Sequence, residues 1–148
     1  MADQWMGVGE AVATPRRIAL TVLAAPLALC RFAPSDAIPA WASGAQSFLT
    51  ISRTPTELSI VADELAVPVG ASAERGYRAL RVEGPLPLDL VGIFATIAAP
   101  LAVAKVPIFP IATYDTDYVL VAQQFLVRAI AALEGAGLSV MEESARAG

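Results

Sequence analysis

Chemistry in this 148-residue chain has few places to reside. There is no histidine, a single cysteine, Cys30, and a single lysine, Lys105. An imidazole base is therefore absent, a papain-like nucleophile is ruled out, and a Cys/His zinc cluster cannot be assembled within one chain. The residues left for chemistry are carboxylates, hydroxyls and backbone amides exposed by glycine. Gly84 to Gly92 joins a strand to a helix start, and it contains Leu86 and Asp89. Thr113-Tyr114-Asp115-Thr116-Asp117 is a polar turn between two apolar runs. A free amino acid presents a carboxylate, which suits unpaired backbone N–H groups at a helix start, and an ammonium, which suits a carboxylate. Gly84, Leu86, Asp89 and Gly92 could serve the first group, and Asp115 and Asp117 the second, with Thr113 and Tyr114 adjoining. Each also has an ordinary reading: Asp89 as an N-cap and the aspartates as turn formers.

Other polar residues carry less. Ser52 and Ser59 lie on neighbouring strands and could bond a ligand or face water. Arg53 and Glu57 bracket a turn and could pair across it, but such an exposed pair contributes only about 0–1 kcal/mol and a solvated turn is the expected reading. Cys30 reads as a buried structural thiol and Trp41 as a core anchor. An all-oxygen metal site at the Asp115 turn would lack EF-hand spacing. The chain therefore calls for no metal and no cofactor.

Apolar residues make up 56% of the chain and charged residues 16%, so much apolar surface must be buried, in part between subunits. A net charge of −4 argues against nucleic acid as a partner. Arg16-Arg17 before an apolar run imitates an export signal, but Asp3, Glu10, Leu29 and Pro26 oppose that reading. Leu90 to Ala104 is shorter than the roughly 18 residues of a membrane span. A cytoplasmic protein without membrane contact is expected.

The elements that must position these residues follow from periodicity. Ile18 to Leu23 alternates as a strand, bent at Pro26, and Leu27 to Phe32 continues it. Pro39 could open a helical turn. Phe48 to Ser52 and Glu57 to Val61 form a hairpin around Pro55, and Tyr77 to Glu83 is a strand. Asp89 then caps a helix whose stripe is Leu90, Ile93, Phe94, Ile97 and Leu101, with a kink or early stop at Pro100. Val106 to Ala112 and Tyr118 to Val121 are strands, Gln123 to Glu134 a helix stopped by Gly135-Ala136-Gly137, and Leu138 to Met141 a last strand. The second half thus reads β-α-β-β-α-β, the ferredoxin-like order. The first half follows it with degraded helices.

Three segments, Phe48 to Val61, Leu80 to Leu86 and Ile111 to Val121, are similar to the small bacterial ACT-domain proteins related to the CASTOR arginine sensors. The resemblance spans about Arg17 to Leu133. It implies an α+β fold of two ferredoxin-like, ACT-type modules with antiparallel sheets, an amino acid bound between modules, and a regulatory rather than catalytic role. It departs at Ala112, where similar sequences carry a serine, and in the abbreviated first-half helix. The expected division is a flexible arm over 1–15, modules over 16–76 and 77–141, and a polar tail over 142–148. Ser52, Gly84, Leu86, Asp89, Gly92, Thr113, Tyr114, Asp115 and Asp117 are the expected ligand residues. A homodimer is expected, passing its signal to a protein partner. The alternatives are a structural oligomerisation module and a carboxylate-based enzyme.

Overall fold

The computed structural model describes residues 17–144. The proposed arm, together with Arg16 and the end of the tail, lies outside them. Eight strands form one sheet: β1 (Ala19–Val22), β2 (Leu27–Phe32), β3 (Leu49–Arg53), β4 (Leu58–Asp63), β5 (Glu74–Val82), β6 (Phe109–Ala112), β7 (Asp117–Ala122) and β8 (Ser139–Glu142). Two α-helices accompany them, α1 (Ile93–Val103) and α2 (Leu126–Gly135), with 3-10 turns at Ala40–Gly44, Glu64–Ala66 and Gln123–Phe125.

The long strand β5 organises the sheet. On one edge it pairs antiparallel with β1 through Leu20↔Val82 and Val22↔Leu80, and with β2 through Leu27↔Tyr77. On the other it pairs with β7 from Tyr77↔Ala122 to Arg81↔Tyr118. β1 and β2 are thus successive pieces of one path broken around Pro26, as proline in a strand requires. Beyond them the sheet continues through β4 to β3 on one side and to β8, parallel to β1, on the other. The second half does run β5-α1-β6-β7-α2-β8, but β1 from the first half lies between β5 and β8. The two halves therefore share a sheet.

Alternation decides which side chains meet the helices. Leu20, Val22, Leu80, Val82, Val119 and Val121 face Ile97 and Leu101 of α1 and Leu126, Ala129 and Leu133 of α2. A second buried cluster holds Ala79 and Leu120 against Leu27, Phe48 and Val61, where the Phe48 and Tyr118 rings meet edge to face at 5.0 Å. A third encloses Cys30 among Ala28, Leu58, Ile60 and Val67, with Trp41 packed on it. Burial pushes the Cys30 thiol pKa up, as befits an inert core thiol.

Several local expectations are corrected. Asp89 does not cap α1: Pro85 and Pro87 keep the chain extended, a turn closes with Leu90 N–H donating to the Pro87 carbonyl, and Gly92 at φ 82° is the N-cap. Leu90 accordingly precedes the helix. α1 does not stop at Pro100 but reaches Val103, because fully buried Ile97 and Leu101 hold both sides of the proline on the sheet. β5 starts at Glu74 rather than Tyr77, β6 at Phe109 beyond Pro107, and α2 at Leu126 after a 3-10 turn. Arg53 and Glu57 do not pair; Arg53 donates to the Pro34 carbonyl, and Thr54 Oγ1 accepts from Glu57 N–H at 3.1 Å.

Asp63, at the end of β4, accepts from three successive backbone N–H groups, Gln46 at 3.2 Å, Ser47 at 2.8 Å and Phe48 at 2.7 Å. It fastens the entry to β3 and sets Phe48 into the second cluster. Asp63→Ala strands all three donors and is expected to cost about 2 kcal/mol, read as a lowered urea midpoint at unchanged m-value.

Candidate functional site

An open cleft of about 240 Å³ lies where β1 begins and β5 ends, beside the start of α1. Its charged walls are Arg17, just before β1, and Glu83, just after β5. Its apolar walls are Ile18, Val82, Leu86, Leu90 and Ile93, and the backbone of Ala19, Gly84 and Pro85 completes it. The sheet brings the two residues to one end of the β1–β5 pair: Glu83 N–H donates to the Ala19 carbonyl at 2.8 Å, extending the ladder by one residue.

Glu83 is held by the Thr21 hydroxyl and by the Arg81 guanidinium at 3.3 Å, both on Oε1. The Thr21 hydrogen bond first, and then Arg81, hold its carboxyl below the usual 4.5 against the opposing effect of burial. A folded-state pKa lowered in this way contributes stability that is present above pH 4.5 and is lost as pH falls through the lowered value. Thr21→Val is expected to return Glu83 toward 4.5, measured by carboxyl 13C NMR titration.

The structure joins the two segments singled out in the sequence. Leu86 N–H donates to the Asp115 carbonyl at 2.8 Å, and buried Thr116 donates through Oγ1 to the Val82 carbonyl at 2.6 Å. A Cβ on Gly84 would stand 3.0 Å from Leu86 N, 3.3 Å from the Asp115 carbonyl oxygen and 3.4 Å from Thr116 Cβ, so a side chain here would press on the backbone of the crossing. Thr113 spends its hydroxyl within the turn, on the Thr116 carbonyl at 2.8 Å. Asp115 reaches the loop by its carbonyl, Asp117 opens β7, and Tyr114 is 80% exposed.

Of the expected residues, Gly84 and Leu86 line the cleft, and Gly92 starts the helix beside it with no side chain capping the first turn. The Asp115 turn buttresses the loop from behind. Asp89 is exposed in the preceding turn, and Ser52 sits on edge strand β3; neither lines the cleft. Arg17 and Glu83 escaped the sequence reading. Their proximity depends on the β1–β5 pairing, whose only sequence trace is a charged residue at the end of each apolar strand. Among the described residues no cluster of three or more carboxylates and thiols could hold a metal ion.

An ACT domain model matches residues 72–135, and a separate N-terminal-domain model matches residues 26–69. A crystal structure of an Agobacterium tumefaciens protein superposes with a TM-score of 0.82 at 33% identity, covering 90% of this chain and 99% of that one. The chain belongs to the family of that protein and carries an ACT domain. A Vibrio cholerae protein described as of unknown function and a possible transport protein shares the fold of this ACT-domain protein, with a TM-score of 0.67 and 20% identity over 82% of this chain and 91% of that one. So does the regulatory subunit of aspartate kinase from Thermus thermophilus, at 0.53 and 15% over 76% and 91%. No curated protein matches by sequence. No helix among the described residues is long and apolar enough to cross a membrane.

Proposed function

We propose that this ACT-domain protein binds a free amino acid or a closely related metabolite and reports it to a protein partner, without catalysing a reaction. The observation that carries this reading is the cleft itself, where Arg17, Glu83 and the backbone around Gly84 border one small volume with an apolar lining beside an uncapped helix start. A ligand of opposite polarity at its two ends fits such a site, and about 240 Å³ is below the roughly 300–1,000 Å³ of drug-sized pockets. The ACT match and the fold shared with a kinase regulatory subunit support a regulatory role.

In this reading Gly84, Leu86 and Gly92 form the ligand loop, and Thr113, Tyr114, Asp115 and Asp117 act through the turn that supports it. The two family models leave a seam between residues 69 and 72, which supports a chain of two modules tied by β1. Dimerisation would cover side chains such as Val103 and Val127, 84% and 81% exposed on the two helices.

A thermal-shift screen of the purified chain against the free amino acids tests the proposal, since a ligand that binds only the folded state raises Tm. A stabilising amino acid whose effect is lost in Arg17→Gln supports it. Silence across the panel at millimolar concentration, with the oligomer intact, would favour a purely structural assembly module.

A further inference from the structure

We infer that two copies of this chain pair edge to edge through strand β3, joining their sheets antiparallel across a two-fold axis at Ile51. This pairing is independent of the ligand reading above.

Among the described residues the sheet has three open edges, β3, β6 and β8. An open edge is a row of unpaired N–H and C=O groups, which folded proteins blunt with proline, charge or a bulge. Two of these edges are blunted. In β6, Thr113 N–H donates to the Thr116 carbonyl at 2.9 Å and so fixes the phase of the ladder with β7. Pro110 and Ala112 therefore turn outward, and Pro110 has no N–H to offer. In β8, Ser139 and Glu143 donate to the Ile18 and Val22 carbonyls, which turns Val140 and Glu142 outward and puts a carboxylate on that edge.

β3 has no such protection. Its ladder with β4 runs from Leu49↔Ala62 to Arg53↔Leu58 without a bulge, and it contains no proline. Hydrogen bonds at its two ends, Asp63 N–H to the Phe48 carbonyl at 3.3 Å and Thr54 N–H to the Glu57 carbonyl at 2.9 Å, set alternate residues toward β4. Leu49, Ile51 and Arg53 therefore direct their N–H and C=O groups away from β4, and among the described residues these groups have no partner. The one charge on the strand, Arg53, is held on its own protomer by the Pro34 carbonyl. Leu49 and Ile51, 41% and 36% exposed, stand on the same face as their neighbours Ala62 and Ile60, at the margin of the cluster around Cys30.

A second copy is the occupant that fits this edge. The outward residues are spaced evenly about Ile51, so the edge is its own complement. Across the axis Ile51 lies opposite the partner's Ile51, Leu49 opposite the partner's Arg53, and Thr50 opposite the partner's Ser52. Every outward N–H then meets an outward carbonyl, and no like charges are opposed. Leu49 and Ile51 of both copies extend the Cys30 cluster on one face, and hydroxyls pair on the other. The contact is separate from any cover of Val103 and Val127 on the helices, and the two can coexist in a larger assembly.

Sedimentation equilibrium and amide hydrogen exchange of the full chain, across a dilution series, test the pairing. At least two chains per particle are expected at high concentration, with the Leu49, Ile51 and Arg53 amides protected there and exchanging freely on dilution. Ile51→Pro removes the central outward N–H and no bond of the β3–β4 ladder, and should weaken association about tenfold or more. Ile51→Lys sets two like charges opposite one another at the axis and should act in the same direction, which keeps the test intact if the proline variant folds poorly.

A particle of one chain at every concentration overturns the pairing. So does an assembly that neither variant weakens, which would place the contact wholly on other surfaces such as the helices. Protection of these amides that is the same at all dilutions would mean that the chain covers the edge itself, and overturns the pairing too.

Discussion

Leu80→Ala is expected to lower the unfolding free energy by roughly 2–5 kcal/mol, the largest effect of any substitution considered for this chain. Leu80 lies near the end of β5 and is opposite Val22 of β1 on one edge and Val119 of β7 on the other. It is fully buried in the cluster that joins the sheet to both helices. Truncation would leave a cavity at the junction of three strands, where hydrogen bonding on both edges prevents collapse. Urea denaturation followed by circular dichroism measures it. A loss under about 1 kcal/mol would mean that the site relaxes, contrary to the fixed register on both sides.

Gly84→Val is the second large effect, and it is directed at the site. The crossing of the 84–86 loop over the Asp115 turn places backbone atoms 3.0 and 3.3 Å from any Cβ at this position, and backbone cannot move aside as a flexible side chain would. The added carbons would push the loop off the turn and break the 2.8 Å bond from Leu86 N–H to the Asp115 carbonyl. A stability loss of about 1–3 kcal/mol is expected. The amide cross-peaks of residues 84–86 and 113–116 should shift together in a 15N–1H spectrum, while those of β3 and β4, at the far side of the sheet, stay in place. The ligand response proposed for the cleft should vanish in the same variant. Retained binding in a folded Gly84→Val protein would show that the ligand does not use this loop.

The two substitutions separate what supports the fold from what shapes the cleft. Leu80 belongs to the helix-facing core, whereas Gly84 stands just past the end of β5 with no core neighbour to lose. Val82 and Thr116 connect the two regions, since the Val82 side chain lies in that core and its carbonyl receives the Thr116 hydroxyl. A ligand pressing on the loop would therefore act on the β5–β7 pair, the route by which occupancy could alter the sheet and any partner surface on it.

Local sequence determined a good deal. Period-two alternation from Ile18 to Leu23 and from Tyr77 to Glu83 identified β1 and β5 as strands, and the 3.6-residue recurrence of Ile93, Ile97 and Leu101 identified α1. Pro55 and the polar run from Thr113 to Asp117 marked turns through fixed dihedrals and side-chain bonding to backbone, both properties of the chain itself. The Gly84 loop and the Asp115 turn were nominated by their residue types together with the resemblance to ACT-domain proteins.

Tertiary structure decided the rest. Asp89 looked like a cap because aspartate favours that position, yet it falls inside the turn closed by Leu90 N–H on the Pro87 carbonyl, and the helix starts only after Gly92, whose left-handed backbone turns the chain into it. Pro100 read as a kink or an early stop, yet the helix runs on to Val103, since burial of its neighbours against the sheet outweighs one lost hydrogen bond. Arg17 and Glu83 are 66 residues apart and border one cleft only because β1 inserts between β5 and β8. Strand order depends on which distant apolar faces bury one another, and periodicity within a segment carries no information about its partner. The chain itself specified the strands, the helices and the loop rich in glycine and proline; the pairing of β1 with β5 created the cleft.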